Sequence, residues 1–148
     1  MRLVLTAAAF AMAAACSPSV AAPETETAEI TVTAPAEETR VAAVLSFAEW
    51  CGSCKKLDPK VKAVRAANTF DGVEFFTLDY TKKDSDAFFA DAATIGVEDT
   101  MRELFPKKVK TGAVILIDLA SGEIIGSINS KMDEAEIKQA IEDAAALT

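Results

Sequence analysis

Histidine is absent from the 148 residues. That removes Ser-His and Cys-His nucleophile pairs and every His-ligated metal site. Cysteine is scarce: beyond Cys16, Cys51 and Cys54 there is no second Cys-x-x-Cys pair to complete the four-coordination of zinc. A metal reading retains only an intermolecular site, so neither a metal nor another cofactor is expected. Positive charge is in deficit, with 15 Lys and Arg against 23 Asp and Glu and a formal net charge of −8. Nucleic acid is therefore an unfit partner.

One apolar run stands out, at the N-terminus. Residues 1–15 hold Arg2 and then an almost unbroken apolar stretch from Leu3, too short for a stable bilayer span and of the length of a secretory signal. We read them as a signal peptide and the protein as exported to the periplasm. Removing the segment deletes one charge, Arg2, and moves the net charge from −8 to −9.

Two processing schemes stay open. Ala13-Ala14-Ala15-Cys16 resembles a bacterial lipoprotein cleavage box, although Ala13 stands where such boxes usually carry leucine. The resemblance implies lipidation of Cys16, and Ser17 resembles the outer-membrane sorting pattern. Cleavage after Ser19-Val20-Ala21 would instead release a soluble periplasmic form and discard Cys16. Either scheme leaves Cys51 and Cys54 as the only free thiols.

Residues 16–40 are rich in Ala, Pro, Thr and Glu and read as an extended tether, with a short alternating stretch at 29–33. From Val41 the composition becomes globular, and residues 41–148 fit one domain. Periodicity predicts strand 41–47, helix 52–68, strand 73–79, helix 84–95, a helical turn 99–105, strands 113–118 and 123–128, and helix 131–147. Ser121-Gly122 predicts a tight hairpin between the last two strands, and strands alternating with helices predict parallel pairing earlier. Ser130 with Asp133 predicts a capping box for the last helix, whose Ile137, Ile141, Ala144 and Ala145 should face the sheet. The expected architecture is a three-layer α/β/α sandwich on a mixed sheet of four or five strands.

Trp50-Cys51-Gly52-Ser53-Cys54 places two thiols where an apolar strand gives way to a lysine-rich helix. In an oxidising compartment such a pair is a structural staple or a redox centre. A disulfide closing so short a loop removes little unfolded-chain entropy, which favours redox work.

This strand-motif-helix context, with Pro59 beyond the second cysteine and Phe75-Phe76-Thr77-Leu78-Asp79 followed by Thr81, resembles the thioredoxin superfamily over residues 41–148. The resemblance implies a thioredoxin-like fold and a thiol-disulfide oxidoreductase. Cys51 would attack and Cys54 resolve, Trp50 would pack beside the disulfide and shield it, Glu49 would face solvent, and Pro59 would kink the active-site helix. At a helix N-terminus the Cys51 thiolate is favoured, with Lys55 adding positive charge or simply lying solvated. Gly52 and Ser53 tune the balance between reductant and oxidant, and the lack of histidine between the cysteines favours the reductant. The resemblance also implies protein disulfide substrates and a membrane thiol-electron transporter as reductant.

Three features differ from the family pattern. Thr111-Gly112 stands where the family has a cis-proline facing the disulfide, and Leu45 where cytosolic thioredoxins have a buried aspartate. Residues 98–111 form an insertion, read either as a partner-recognition element or as a solvated surface loop. These differences keep open a redox-inactive interaction or copper-delivery module, for which Met101 and Met132 are the methionines outside the signal.

Overall fold

The computed structural model describes residues 39–148. The signal peptide 1–15, the lipidation site Cys16, the 29–33 alternation and nearly all of the 16–40 tether lie outside the described residues.

Strand β1 (Val41–Phe47) is the centre of the sheet. It pairs in parallel with β2 (Val73–Asp79) and antiparallel with β3 (Ala113–Asp118), which pairs antiparallel with β4 (Ile124–Asn129). The order β2-β1-β3-β4 gives a mixed four-stranded sheet. With neighbours on both edges and helices on both faces, β1 buries every residue from Val41 to Ser46, which explains a strand without polar alternation.

The pleat sorts its residues between two cores. Ala42 and Val44, with Ile115 and Ile117 of β3, meet Phe88, Phe89 and Ala92 of α2 (Ser85–Thr94) and Met101 of α3 (Glu98–Leu104). Val41, Ala43 and Leu45, with Val114 and Leu116, meet Leu57, Val61 and Val64 of α1 (Gly52–Ala67) and Ile137 and Ile141 of α4 (Glu134–Ala146). Among the described residues no helix is long and apolar enough to cross a membrane.

Four expectations are corrected. Parallel pairing is confined to β1 and β2, because α2 and α3 return the chain so that β3 runs against β1. The β3–β4 turn is no tight hairpin: residues 119–123 bridge the strands, with Gly122 at φ +73° and its N–H donating to the Asp118 carbonyl at 2.8 Å. The cap of α4 is Asp133 with Glu136, not Ser130 with Asp133: the Asp133 carboxylate accepts the Glu136 N–H while the Glu136 carboxylate accepts the Asp133 N–H. Ala144 is buried but Ala145 is only half-buried.

The 98–111 segment is not a solvated loop. Met101, Phe105 and Val109 are all buried in the first core, where Phe105 lies 6.3 Å from Phe88, ring to ring. Pro106 follows the end of α3, where a residue without an N–H cannot continue the helix. The segment reaches Gly112 held by three core anchors, with Lys107 and Lys108 left exposed between the last two and Lys110 exposed just after them.

Candidate active site

Cys51 ends the β1–α1 connection and is the N-cap of α1, one position outside the helix. In place of the usual hydroxyl or carboxylate, its sulfur accepts a helix-start N–H, that of Cys54, at 3.1 Å. The Cα atoms of Cys51 and Cys54 are 5.2 Å apart and the two sulfurs are joined as a disulfide, well within the span such a bond requires. Cys54 is fully buried and Cys51 is 6% exposed. Cys51 is thus the sulfur nearer to solvent, with a helix N-terminus behind it. Ala48 and the edge of Phe47 complete the apolar pocket around the pair.

Ser53 and Gly112 define the face over Cys51. The Ser53 hydroxyl lies 3.4 Å from Cys51 Sγ, so it can donate to that sulfur when it is a thiolate. Gly112, buried at φ +98°, sits directly across from it: a Cβ on Gly112 would overlap Ser53 Oγ and come within 3.2 Å of Cys51 Sγ. The Gly112 N–H donates to the Ser46 carbonyl at 2.9 Å, a bond that a proline at this position would lack. Thr111 beside it is half-buried, whereas Gly52, Lys55 and Pro59 are exposed along the first turns of α1. The structure thus brings Cys51, Ser53, Cys54 and Gly112 together and leaves Lys55 and Pro59 on the solvent side.

Trp50 directly precedes the pair, in the β1–α1 connection. It is 50% exposed and is held by the turn after β2. Its indole N–H donates to the Thr81 carbonyl at 3.0 Å, its ring meets Tyr80 edge-on at 6.5 Å, and Lys83 Nζ stands 5.3 Å over it. Glu49 is exposed, and its N–H donates to the Thr81 hydroxyl. Thr81 is therefore the residue that seats the motif's N-terminal side. Asp79 fixes it in turn, its carboxylate accepting the Thr81 N–H at 2.8 Å. The Asp-x-Thr spacing is a recognisable side-chain turn signal.

Ser46 is the second residue that sequence reasoning passes over. Its carbonyl lies 3.7 Å from Cys54 Sγ, so it can accept a hydrogen bond from the Cys54 thiol once the disulfide opens. Its own hydroxyl is buried without a hydrogen-bond partner among the described residues. Leu45 is buried in the apolar core beneath α1 and α4 and offers no proton acceptor. The methionines do not join the thiols: Met101 is fully buried in the core beneath α3, and Met132 packs against the core beneath α1 and α4.

The Thioredoxin family model matches residues 25–95, from within the stretch read as a tether through α2. The described residues have a thioredoxin fold, a mixed four-stranded sheet with four helices, and carry a Cys-x-x-Cys pair at the N-terminus of the first helix. Similar solved structures include the Malassezia sympodialis thioredoxin Mala s 13, at 17% identity and TM-score 0.48 over 72% of this chain and 79% of that one. StoA from Bacillus subtilis matches at 15% identity and TM-score 0.46 over 68% and 81% of the respective chains. DsbF of MTB matches at 16% identity and TM-score 0.43 over 71% and 81%. Comparison with curated proteins returns no match.

Proposed function

We propose that the protein is a thiol-disulfide oxidoreductase working as a disulfide reductase in the periplasm. The observation that carries the reading is the asymmetry of the pair: Cys51 Sγ is the outer sulfur, faced by the Cys54 N–H and the Ser53 hydroxyl, while Cys54 is sealed beneath it. Donors aimed at Cys51 stabilise its thiolate, which is the attacking form.

The cycle begins from the dithiol. The Cys51 thiolate attacks one sulfur of a substrate disulfide, forming the mixed disulfide and releasing the other substrate sulfur as a thiolate. Cys54 gives up its proton and attacks Cys51 Sγ, which breaks the mixed bond and frees the second substrate thiol. Two electrons pass to the substrate, and the protein is left as the Cys51–Cys54 disulfide described above. With Leu45 in place of an acid, the substrate thiolate released in the first step is the base that takes the Cys54 proton.

Return to the dithiol needs an electron donor, for which a membrane thiol-electron transporter is the fitting class. Protein disulfides are the proposed substrates. Lipidation at Cys16 would tether the domain to the outer membrane. Incorporation of a labelled fatty acid that disappears in Cys16→Ala supports the anchor, and its absence leaves the soluble form.

Equilibration with glutathione buffers, followed by mass, tests the central reading. A potential on the order of −270 mV fits a reductant and one near −120 mV fits an oxidant. Cys54→Ala should accumulate mixed disulfides through Cys51 in cells, and Cys54→Ala combined with Cys51→Ala should accumulate none. Equal trapping by both variants would sink the oxidoreductase reading.

A further inference from the structure

We infer that the disulfide docks onto polypeptides that carry acidic side chains around their own cystine, guided by a basic rim on an otherwise acidic domain. The inference deepens the oxidoreductase reading and rests on it for the meaning of the docked cystine.

The rim follows from the charge distribution. Three stretches meet at the disulfide: residues 49–56 contain it, residues 79–86 hold Trp50 through Thr81, and residues 105–112 end on Gly112 against Cys51. Together they carry seven lysines, Lys55, Lys56, Lys82, Lys83, Lys107, Lys108 and Lys110, against four acids, Glu49, Asp79, Asp84 and Asp86. Two of those acids are engaged locally, Asp79 with Thr81 and Asp84 as the N-cap of α2. The neighbouring 129–133 turn adds one charge of each sign, Lys131 and Asp133. The rest of the described domain has the reverse balance, six Lys and Arg against thirteen Asp and Glu.

Two of the lysines are tied to the motif by position. Lys110 is two residues from Gly112, so its Cα lies within about 7 Å of the Gly112 Cα, the reach of two peptide units. Lys83 stands over Trp50 on the opposite side of the motif. The buried anchors Phe105 and Val109 fix the stretch that presents Lys107, Lys108 and Lys110, which are exposed and make no ion pair among the described residues. A basic rim in a field of opposite sign steers an acidic partner to one orientation and repels it elsewhere.

The test uses two synthetic peptides with the same cystine loop, one flanked by glutamates and one by lysines. Their binding to the full chain bearing Cys51→Ser and Cys54→Ser measures docking without redox chemistry. At about 0.01 M salt the glutamate peptide should bind at least tenfold tighter. The preference should vanish near 1 M, where the screening length falls from about 30 Å to about 3 Å. Lys107→Glu, Lys108→Glu and Lys110→Glu together should abolish or invert it, whereas Lys62→Glu, Arg102→Glu and Lys138→Glu, the same charge change outside the rim, should preserve it. Equal binding of the two peptides, or a preference that survives the rim substitutions, overturns the inference. Reduction of uncharged hydroxyethyl disulfide by the native dithiol separates the two readings: its failure counts against the oxidoreductase, while the binding comparison still decides the rim.

Discussion

Ser53 Oγ occupies the space that any side chain at position 112 would need, so Ser53 and Gly112 are a matched pair across the disulfide. One comes from the first turn of α1 and the other from the entry to β3. Their fit explains how a glycine serves at this point, since the hydroxyl fills the volume and the glycine adopts φ +98°.

Gly112→Ala should therefore destabilise the oxidised protein by roughly 1–3 kcal/mol through backbone strain and collision. Combining it with Ser53→Gly should restore the collision part alone, giving a coupling of about 0.5–3 kcal/mol in a urea-denaturation cycle. Gly112→Pro should cost more than Gly112→Ala, because it also removes the N–H that bonds the Ser46 carbonyl. Additive effects of the first pair would show that the two residues do not compete for space.

Ser53→Ala leaves the fold intact and removes one donor from Cys51 Sγ. A hydrogen bond of about 0.5–1.5 kcal/mol to the thiolate corresponds to a roughly 2- to 10-fold slower reaction of reduced Cys51 with iodoacetamide near neutral pH. The difference should shrink at high pH, where both proteins are fully ionised. An unchanged rate would mean that the hydroxyl bonds elsewhere in the dithiol.

The limits of what sequence reveals follow the range of the interactions. The bounds of β1 are legible because it is a nearly continuous apolar run, and those of β2 because Val73, Phe75, Phe76 and Leu78 cluster directly after the Asp71-Gly72 turn, so both need only local information. The Cys51–Cys54 geometry is legible for the same reason, with Cys51 capping the helical turn that carries Cys54. Ser53 against Gly112 is not, since it exists only once β3 lies beside β1. The 98–111 segment misleads because Met101, Phe105 and Val109 recur every four residues as on one helix, yet the helix ends at Leu104 before Pro106 and the chain still returns Val109 to the core. Asp133 is missed as a cap because polar residues around it supply several pairs at the right spacing, and only side-chain direction selects Glu136.

Asp133→Ala should lower stability by about 0.5–2 kcal/mol, the range for losing a side-chain N-cap. Ser130→Ala, which removes the side chain named by the spacing rule alone, should change it by less than about 0.5 kcal/mol. Urea midpoints of the two variants discriminate between the caps.

Asp118 closes the β3–β4 turn. The Ser121 hydroxyl and the Ala120 N–H donate to its carboxylate and hold its pKa below the ordinary aspartate value. A carboxylate depressed in the folded state adds stability above its unfolded pKa of about 3.9, and that stability is lost as pH falls through the folded value. Native protein should therefore melt above Asp118→Asn at neutral pH, and the gap should close below about pH 4. Ser121→Ala should narrow the same gap without changing its sign. A gap independent of pH would show that the carboxylate charge plays no part in the turn.

Ser46 sits one residue beyond Leu45 on β1, with its hydroxyl buried and unpartnered among the described residues while its carbonyl serves Gly112 and faces Cys54. An unsatisfied buried polar group costs about 1–3 kcal/mol, and exchanging it for hydrogen removes the cost at the expense of a very small void. Ser46→Ala should therefore raise stability by about 1 kcal/mol, close to a 4 °C rise in melting temperature for a domain of this size. Because the carbonyl is untouched, the Cys51–Cys54 potential should not move. Lower stability in Ser46→Ala would mean that the hydroxyl is bonded in solution, and a shifted potential would mean that it reaches the thiols.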